Sequence, residues 1–179
     1  MDPPGDPSIL ILTGSPGTGK TTAARLIAAR SNRGVHLETD SFFESIRSGS
    51  IEPWKPEAQE QNEVVMGIVA DAAAGYARAG YFTVIDGIVL PNWFLEPLRR
   101  GLHEAGQGVT YGVLRAPLST CIQRATERER APVDAAIVEK LWREFSDLGE
   151  LEKNAFELEE ETPDAVADML LRDLGRLAV

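Results

Sequence analysis

The sequence predicts a single α/β domain in which a parallel sheet is covered by helices on both faces. Two observations predict this fold class. Short apolar runs alternate along the chain with longer segments of helical periodicity. Such alternation is typical of strand–helix–strand units, whose parallel strands are buried on both faces. The length of 179 residues fits one domain, and no repeat or linker divides it.

The first strand and the first helix flank a glycine-rich turn. Residues 9–12 form an unbroken apolar run, and residues 22–29 have helix-forming composition. Between them, residues 14–21 read GSPGTGKT, which fills every defined position of the phosphate-loop pattern GxxxxGK followed by Ser or Thr. Inward-pointing backbone N–H groups and the helix dipole make such a turn an anion cradle. The chain is therefore predicted to bind a nucleoside triphosphate.

The loop also supplies the predicted cofactor site, with ATP and Mg²⁺ as the cofactors. We expect Lys20 to reach the β- and γ-phosphates and the Thr21 hydroxyl to ligate Mg²⁺. The predicted nucleotide-binding residues of this loop and helix start are Gly14, Ser15, Pro16, Gly17, Thr18, Gly19, Lys20, Thr21 and Thr22.

The next elements lead from a second strand to a long helix. Residues 35–38 are the second strand, and residues 42–47 form a short helix that begins near Asp40. Trp54 then lies between two prolines in a rigid, irregular connection. A long helix follows and ends at Gly80. Its predicted inward face comprises Val64, Val65, Ile68, Val69, Ala72, Ala73, Tyr76 and Ala77.

The second half of the chain continues the alternation. Its predicted elements are a strand at 82–85, a helix at 94–105, a strand at 109–114, a helix at 118–130 and a short strand at 155–158. Asp134 is predicted to cap one further helix, whose apolar face includes Val138 and Phe145. Thr162 as N-cap, with Pro163 at the first helical position, begins the last helix.

Three acidic residues follow the second and third strands, at the edge where parallel sheets bind ligands. Asp86 ends an apolar run and is predicted to lie near Mg²⁺ and the substrate, although an ordinary loop-starting aspartate has the same pattern. Asp40 is predicted to take the proton of an acceptor hydroxyl; the alternative is a helix N-cap. Glu38 either reaches the metal through water or only ends its strand.

An arginine-rich segment lies late in the chain. Arg124 and Arg128 are four residues apart and are expected on one face of a helix, with Arg130 following. The planar guanidinium binds phosphate oxygens in pairs and keeps its charge, so a mobile lid over the nucleotide is predicted here. The alternative is a solvated face of alternating Arg and Glu.

These motifs together resemble the small-molecule kinases that include chloramphenicol phosphotransferase, shikimate kinase and gluconate kinase. The resemblance spans residues 8–179 and leaves residues 1–7 as a flexible N-terminus. It implies five parallel strands in the order 2-3-1-4-5, with a lid at about 124–133. It further implies Asp40 as catalytic base beside Lys20, and Arg124 or Arg128 as the lid residue that contacts phosphate, with Arg128 the candidate for catalysis and Arg124 for nucleotide binding.

The predicted function is transfer of the γ-phosphate of ATP to a hydroxyl or phosphate of a small-molecule acceptor. Acceptor binding is expected in residues 41–62 and 92–94, which overhang the same sheet edge. The candidate substrate-binding residues are Asp40, Phe43, Arg47, Trp54, Asp86 and Trp93. The acceptor segment carries no motif for a known substrate, and no glycine triplet follows the third strand as in shikimate kinases.

Two other functions remain open at this stage. GSPGTGKT also occurs in the style of ATP-driven AAA proteins, but those place Asp-Glu at the strand end, whereas Asp86 precedes Gly87 here. A toxin-like kinase acting on a nucleotide sugar would share the fold. A GTPase is disfavoured because the sequence has no NKxD motif.

Composition restricts the partners. The net charge of −10 argues against a nucleic acid or an anionic membrane surface as partner. Cys121 is the only cysteine, which excludes an intrachain disulfide and favours a reducing cytoplasm. No apolar stretch approaches the length of a membrane helix, and the acidic, proline-rich start is unlike a signal peptide. A monomer or a homodimer is expected.

Overall fold

Five parallel strands form the centre of the molecule. The computed structural model describes residues 8–129 and 132–179, so residues 1–7, the predicted flexible N-terminus, and Arg130 lie outside the described part. The strands are β1 (Ile9–Gly14), β2 (Gly34–Glu38), β3 (Phe82–Asp86), β4 (Val109–Arg115) and β5 (Ala155–Glu157). They pair in the order β2-β3-β1-β4-β5, which confirms the predicted topology.

Seven helices connect or cover these strands in the described residues. They are α1 (Lys20–Arg30), α2 (Thr39–Glu44), α3 (Gln59–Arg78), α4 (Glu96–Glu104), α5 (Leu118–Thr126), α6 (Ala135–Glu144) and α7 (Pro163–Asp173). Two predicted caps are confirmed: Asp134 accepts a hydrogen bond from the Ala136 N–H, and Thr162 accepts one from the Ala165 N–H. None of the described helices is long and apolar enough to cross a membrane.

The sheet separates two apolar layers because successive side chains of a strand point to opposite faces. Ile9 and Ile11 of β1 pack towards α3 and α4, whereas Leu10 and Leu12 pack towards α1, α5 and α7. All four side chains are fully buried. The continuous apolar run at the start of the chain therefore reflects burial on both faces.

The predicted inward face of α3 is half wrong. Val65, Val69, Ala73 and Ala77 are buried as expected, but the parallel row one position earlier faces solvent. Val64 is 57% exposed, Ile68 52% and Tyr76 43%. Two apolar rows with a four-residue period lie side by side in this sequence. The small side chains at 70, 73, 74 and 77 allow the second row to approach the sheet closely.

The helix predicted at 118–130 ends earlier, at Thr126. The Val133 N–H bonds to the Ala125 carbonyl at 3.1 Å, an oxygen that a continuing helix would have offered to residue 129. Residues 127–129 are therefore not helical, and Val133 contacts the end of α5. Arg124 lies on the helix and Arg128 lies beyond it, so the expectation that both share one helical face is wrong.

Two other boundaries shift by a few residues. The helix predicted at 42–47 runs instead from Thr39 to Glu44, with Glu38 at its N-cap. Asp40 is thus in its first turn and is not the cap. The helix predicted at 94–105 is preceded by a π-helical turn, Pro91–Leu95, in which the N–H groups of residues 93–95 all point to the Leu90 carbonyl at 3.1 Å.

Candidate active site

The glycine-rich loop wraps the end of β1 in a conformation that its glycines permit. Gly17 and Gly19 have φ values of 89° and 91°, in the left-handed region that side chains disfavour. A Cβ at Gly17 would also lie 2.3 Å from the Cys121 carbonyl oxygen of α5. The loop therefore depends on glycine for two reasons: the turn itself, and the close approach of α5.

Internal hydrogen bonds hold the loop and connect it to α6. The Thr18 N–H and hydroxyl both donate to the Ser15 carbonyl, at 3.3 and 3.0 Å. The Ser15 hydroxyl donates to the Val138 carbonyl of α6 at 3.3 Å. Pro16 is buried with them, whereas Thr21 is half-buried and Thr22 exposed at the start of α1. Helix α6 thus lies directly beside the phosphate loop.

Lys20 is near two acidic groups, Asp86 at the end of β3 and Asp40 in the first turn of α2. Its residue is only 8% exposed at the N-terminus of α1. Burial lowers the pKa of its ammonium group below the ordinary value, and the charges of Asp86 and Asp40 oppose this shift. The three residues predicted to act together are therefore within electrostatic reach of one another.

Asp86 is the most buried acid of this group, at 1% exposure. One oxygen, Oδ2, lies 3.3 Å from His36 Nε2 of β2, whereas Oδ1 has no hydrogen-bond partner among the described residues. A buried carboxylate oxygen without a partner is costly, and a metal-bound water or a metal ion would satisfy it. No motif in the sequence pointed to His36 as part of the site.

Asp40 lies in the first turn of α2, and its residue is exposed at the protein surface. Protein atoms around the carboxyl displace bulk water, and this desolvation raises its pKa above the usual range. Lys20 opposes the rise, and Asp86 and Glu44 add to it. The carboxylate thus titrates closer to neutrality than an ordinary aspartate, as suits a proton acceptor.

The two candidate arginines differ in their surroundings. The charge of Arg128 acts on both Lys20 and Asp40, so it faces the candidate site. Arg124 is exposed on α5, and its charge acts on Cys121 beneath the loop. Glu38 pairs with Arg25 of α1 at 3.8 Å and ends β2.

Side-chain contacts fix the segment that follows β3. A Cβ at Gly87 would lie 2.0 Å from the hydroxyl oxygen of Thr39 at the start of α2, so a side chain there would displace Thr39. The Thr13 hydroxyl accepts from the Val89 N–H at 2.9 Å, and the Tyr111 hydroxyl donates to the Val89 carbonyl at 2.7 Å. The chain leading to the π-helical turn is thereby held to β1 and β4.

A cavity of about 730 Å³ opens next to this segment. Trp54 and residues 90–93 form one part of its wall, and residues of α6 and the turn after it form the other. Trp54 and Trp93 both line this cavity, and their predicted role in acceptor binding stays a prediction. Phe43 packs against the core beside α3 and α4, and Arg47 is exposed; neither lines this cavity. Their predicted acceptor roles stay predictions.

Two amide side chains at the start of α3 hold the segment that carries Trp54. The Gln61 side chain accepts from the Ile51 N–H at 2.8 Å and donates to the Ile51 carbonyl at 2.7 Å. The buried Asn62 donates to the Pro53 carbonyl at 2.8 Å. Sequence reasoning missed both residues, because amides in a helical first turn resemble ordinary surface residues.

The Gln61→Ala variant is expected to lose about 1–2 kcal/mol of unfolding free energy, because two hydrogen bonds to Ile51 disappear. Gln59→Ala is the matched control, since Gln59 bonds only to exposed Glu63 on the same helix. It should stay within about 0.5 kcal/mol of the parent protein. Chemical denaturation of both variants measures the difference. Equal effects would show that Gln61 does not restrain the Trp54 segment.

The architecture and the loop define the class of the protein, a P-loop domain of α/β type. A family model described as an AAA domain matches residues 9–148, and the chain belongs to that family. No curated protein matches the sequence significantly.

Several solved structures share the complete fold. An unliganded sugar kinase from Janibacter sp. has 19% identity and a TM-score of 0.68, over 94% of both chains. A tunicamycin resistance protein from Deinococcus radiodurans has 20% identity and a TM-score of 0.67, over 93% of this chain and 95% of that chain. A gluconokinase from Sinorhizobium meliloti has 18% identity and a TM-score of 0.65, over 99% and 95%. The fold is therefore that of the P-loop kinases.

Proposed function

We propose that the protein is an ATP-dependent kinase that transfers the γ-phosphate to a hydroxyl group of a small molecule. One observation carries the proposal. The buried Lys20 interacts electrostatically with Asp40 and Asp86, at the edge of the sheet that carries a complete phosphate loop. Phosphoryl transfer needs positioning and charge stabilisation more than covalent chemistry, and these residues can supply both.

The residues present fit the triphosphate and its metal. The left-handed φ values at Gly17 and Gly19 give the turn the backbone conformation of a phosphate loop, and Lys20 begins the helix behind it. Thr21 and Asp86 would hold Mg²⁺. The Oδ1 atom of Asp86, which has no hydrogen-bond partner among the described residues, would be the ligand atom. When bound, Mg²⁺ neutralises charge on the phosphate oxygens and orients the γ-phosphate. His36 donates to the other oxygen of Asp86 when its Nε2 carries the proton.

Asp40 is the proposed general base. The acceptor hydroxyl gives its proton to the Asp40 carboxylate while the hydroxyl oxygen forms a bond to the γ-phosphorus. The bond from that phosphorus to the bridging oxygen breaks, and its electron pair leaves with ADP. The raised pKa of Asp40 favours this transfer at neutral pH. Arg128 adds positive charge on the same side, where charge develops on the transferred group.

A second candidate function is that of an ATP-driven AAA module, which the family description favours. Such a protein needs a group to activate water for hydrolysis. The residue after Asp86 is Gly87, and a side chain there would collide with Thr39. The glutamate that usually activates water in that class is absent from the end of β3, and a side chain there would require Thr39 to move. The kinase proposal fits the site better.

ATP turnover in the presence and absence of a hydroxylated metabolite panel tests the proposal. We expect little ADP formation by the protein alone, and a large increase when an acceptor is added, with phosphate recovered on that acceptor. Vigorous hydrolysis that no panel member changes would instead favour the AAA module. The Asp40→Asn variant serves as the inactive control, since contaminating kinases would survive that substitution.

A further inference from the structure

The 730 Å³ cavity beside α6 has the size and position of an acceptor site. Pockets of about 300–1,000 Å³ enclose most of a drug-sized ligand, so the volume exceeds the needs of a single small ring. Helix α6 contacts the phosphate loop through Val138 and Ser15, and residues 140 and 141 of the wall follow within one helical turn. A ligand here therefore lies near the proposed site of phosphate transfer.

The residues that line the cavity carry equal numbers of positive and negative charges. Lys140 and Arg143 are matched by Glu144 and Asp147 among the lining residues. Both cations already face carboxylates of their own helix, since Lys140 lies 4.0 Å from Glu144 and Arg143 lies 2.5 Å from Glu139. Recognition of a phosphate or carboxylate ligand needs an unengaged guanidinium or a surplus of cations. The lining carries no such surplus, since its two cations are balanced by two carboxylates.

Aromatic surface dominates one side of the cavity. Trp54 is 53% exposed, an unusual state for so large an apolar side chain. Trp93 is held in place by stacking on Phe94, with ring centroids 4.1 Å apart and planes 19° apart. Indole rings give a ligand a broad, rigid apolar contact at low cost in conformational entropy. The cavity therefore suits a molecule with at least one flat or ring-shaped apolar face.

Two polar side chains of the lining have unused hydrogen-bonding capacity. Asn92 makes no side-chain hydrogen bond within the described residues, so its amide can both donate and accept. Asp147 accepts from the Gly149 N–H at 3.2 Å through Oδ1, which leaves Oδ2 without a partner in the same described ranges. The carboxylate of Asp147 can accept hydrogen bonds, and the amide of Asn92 can both donate and accept them. Ligand hydroxyl groups can bind to both, because a hydroxyl is itself a donor and an acceptor.

From these features we infer that the acceptor is an uncharged, polyhydroxylated molecule larger than a single ring, of the class of nucleosides and aryl or alkyl glycosides. The inference rests on the proposed kinase function. It adds the chemical class of the acceptor and assigns its recognition to Trp54, Trp93, Asn92 and Asp147.

The test uses matched pairs in which one member carries an added phosphate: uridine with uridine monophosphate, adenosine with its monophosphate, and phenyl glucoside with its 6-phosphate. Acceptor-dependent ADP formation measures transfer, and quenching of tryptophan fluorescence measures binding. We expect an uncharged member to be phosphorylated and to bind about 100-fold more tightly than its charged partner, because a buried unpaired charge is costly.

Variants localise the effect. Trp54→Ala is expected to raise the KM for the best uncharged acceptor about tenfold or more, and the KM for ATP less than twofold. Ile68→Ala is the matched control, since Ile68 is equally exposed on α3 and lies outside the cavity lining. Asp147→Asn should raise the acceptor KM, whereas Asp71→Asn on the exposed face of α3 should not.

Each outcome bears on one proposal or the other. Transfer to the phosphorylated members in preference to the uncharged ones would overturn the inferred class and leave the kinase function standing. The same holds if Trp54→Ala and Asp147→Asn both leave acceptor kinetics unchanged. Binding of uncharged members without transfer of phosphate would support the class and contradict the kinase function. Failure of every uncharged member to bind, while Mg-ATP binds, would overturn the inference.

Discussion

Substitution of Lys20 by alanine is expected to abolish the stabilisation of the protein by Mg-ATP. A ligand that binds only the folded state stabilises it by RT ln(1 + [L]/Kd), or about 2.7 kcal/mol at a hundredfold excess over Kd. For a domain of this size that free energy raises Tm by roughly 5–10 °C. Lys20 stands at the start of α1 behind the glycine turn, so its ammonium is the proposed counter-charge for the phosphates. Without it the ligand-induced shift should fall to near zero.

The fold of the apo protein should survive this change. Burial lowers the pKa of Lys20, so the folded state disfavours the charged ammonium relative to the unfolded state. This penalty is present below the unfolded pKa of the group, hence at neutral pH, and substitution removes it. Loss of the attraction to Asp40 and Asp86 works in the opposite direction.

Thermal unfolding with and without Mg-ATP measures both effects. Lys55→Ala is the control, because Lys55 is an exposed lysine whose partner Glu52 lies at the surface. The control should retain the full ligand-induced shift. If Lys20→Ala retained it as well, the phosphate-binding assignment of the loop would be wrong.

The fold could be predicted because the local sequence patterns of its strands and its phosphate loop agree with the tertiary structure. The apolar runs of β1, β3 and β4 are buried on both faces, so they carry a strong strand signal. The phosphate loop was equally predictable, because its glycines answer a local backbone requirement at Gly17 and Gly19. Such features depend on few residues that are adjacent in sequence. The strand order came from the resemblance to small-molecule kinases.

The predictions were wrong for the buried face of α3 and the end of α5, because the local sequence is compatible with more than one structure at both places. Either of two apolar rows of α3 satisfies helical periodicity, and only packing against the sheet selects the one that includes Val65 and Val69. Near the end of α5, the Ala125 carbonyl accepts a hydrogen bond from the N–H of Val133, a residue outside the predicted helix. No pattern within residues 118–130 contains that information.

The candidate site shows the same division. The placement of Lys20, Asp40 and Asp86 at one edge of the sheet was predictable, because each lies at or beyond the end of a strand. The contact between His36 and Asp86 was not, since it depends on the lateral pairing of β2 with β3 and on the rotamers of both side chains. The contribution of α6 to the cavity was also missed. It arises from packing between segments about fifty residues apart in sequence.

Substitution of Asp40 by asparagine is expected to slow phosphate transfer by roughly 10²–10⁴-fold, the usual contribution of a positioned general base. Nucleotide affinity should change only a few fold, because Asp40 belongs to α2 and contributes no part of the phosphate loop. In the parent enzyme, transfer should fall as the pH drops through the pKa of Asp40. Since desolvation raises that pKa, the decline should begin at a higher pH than for an ordinary aspartate.

Stability separates this catalytic role from a structural one. A raised carboxyl pKa means that the folded state disfavours the charged form, so the charge of Asp40 destabilises the protein above its folded pKa. Asp40→Asn removes that charge, and we expect a Tm at neutral pH that is unchanged or higher. A structural role at the start of α2 predicts a lower Tm, although no capping hydrogen bond from a side chain is present there. Thermal unfolding at pH 7, together with single-turnover kinetics, decides between them. A lower Tm with unimpaired transfer would refute Asp40 as the base.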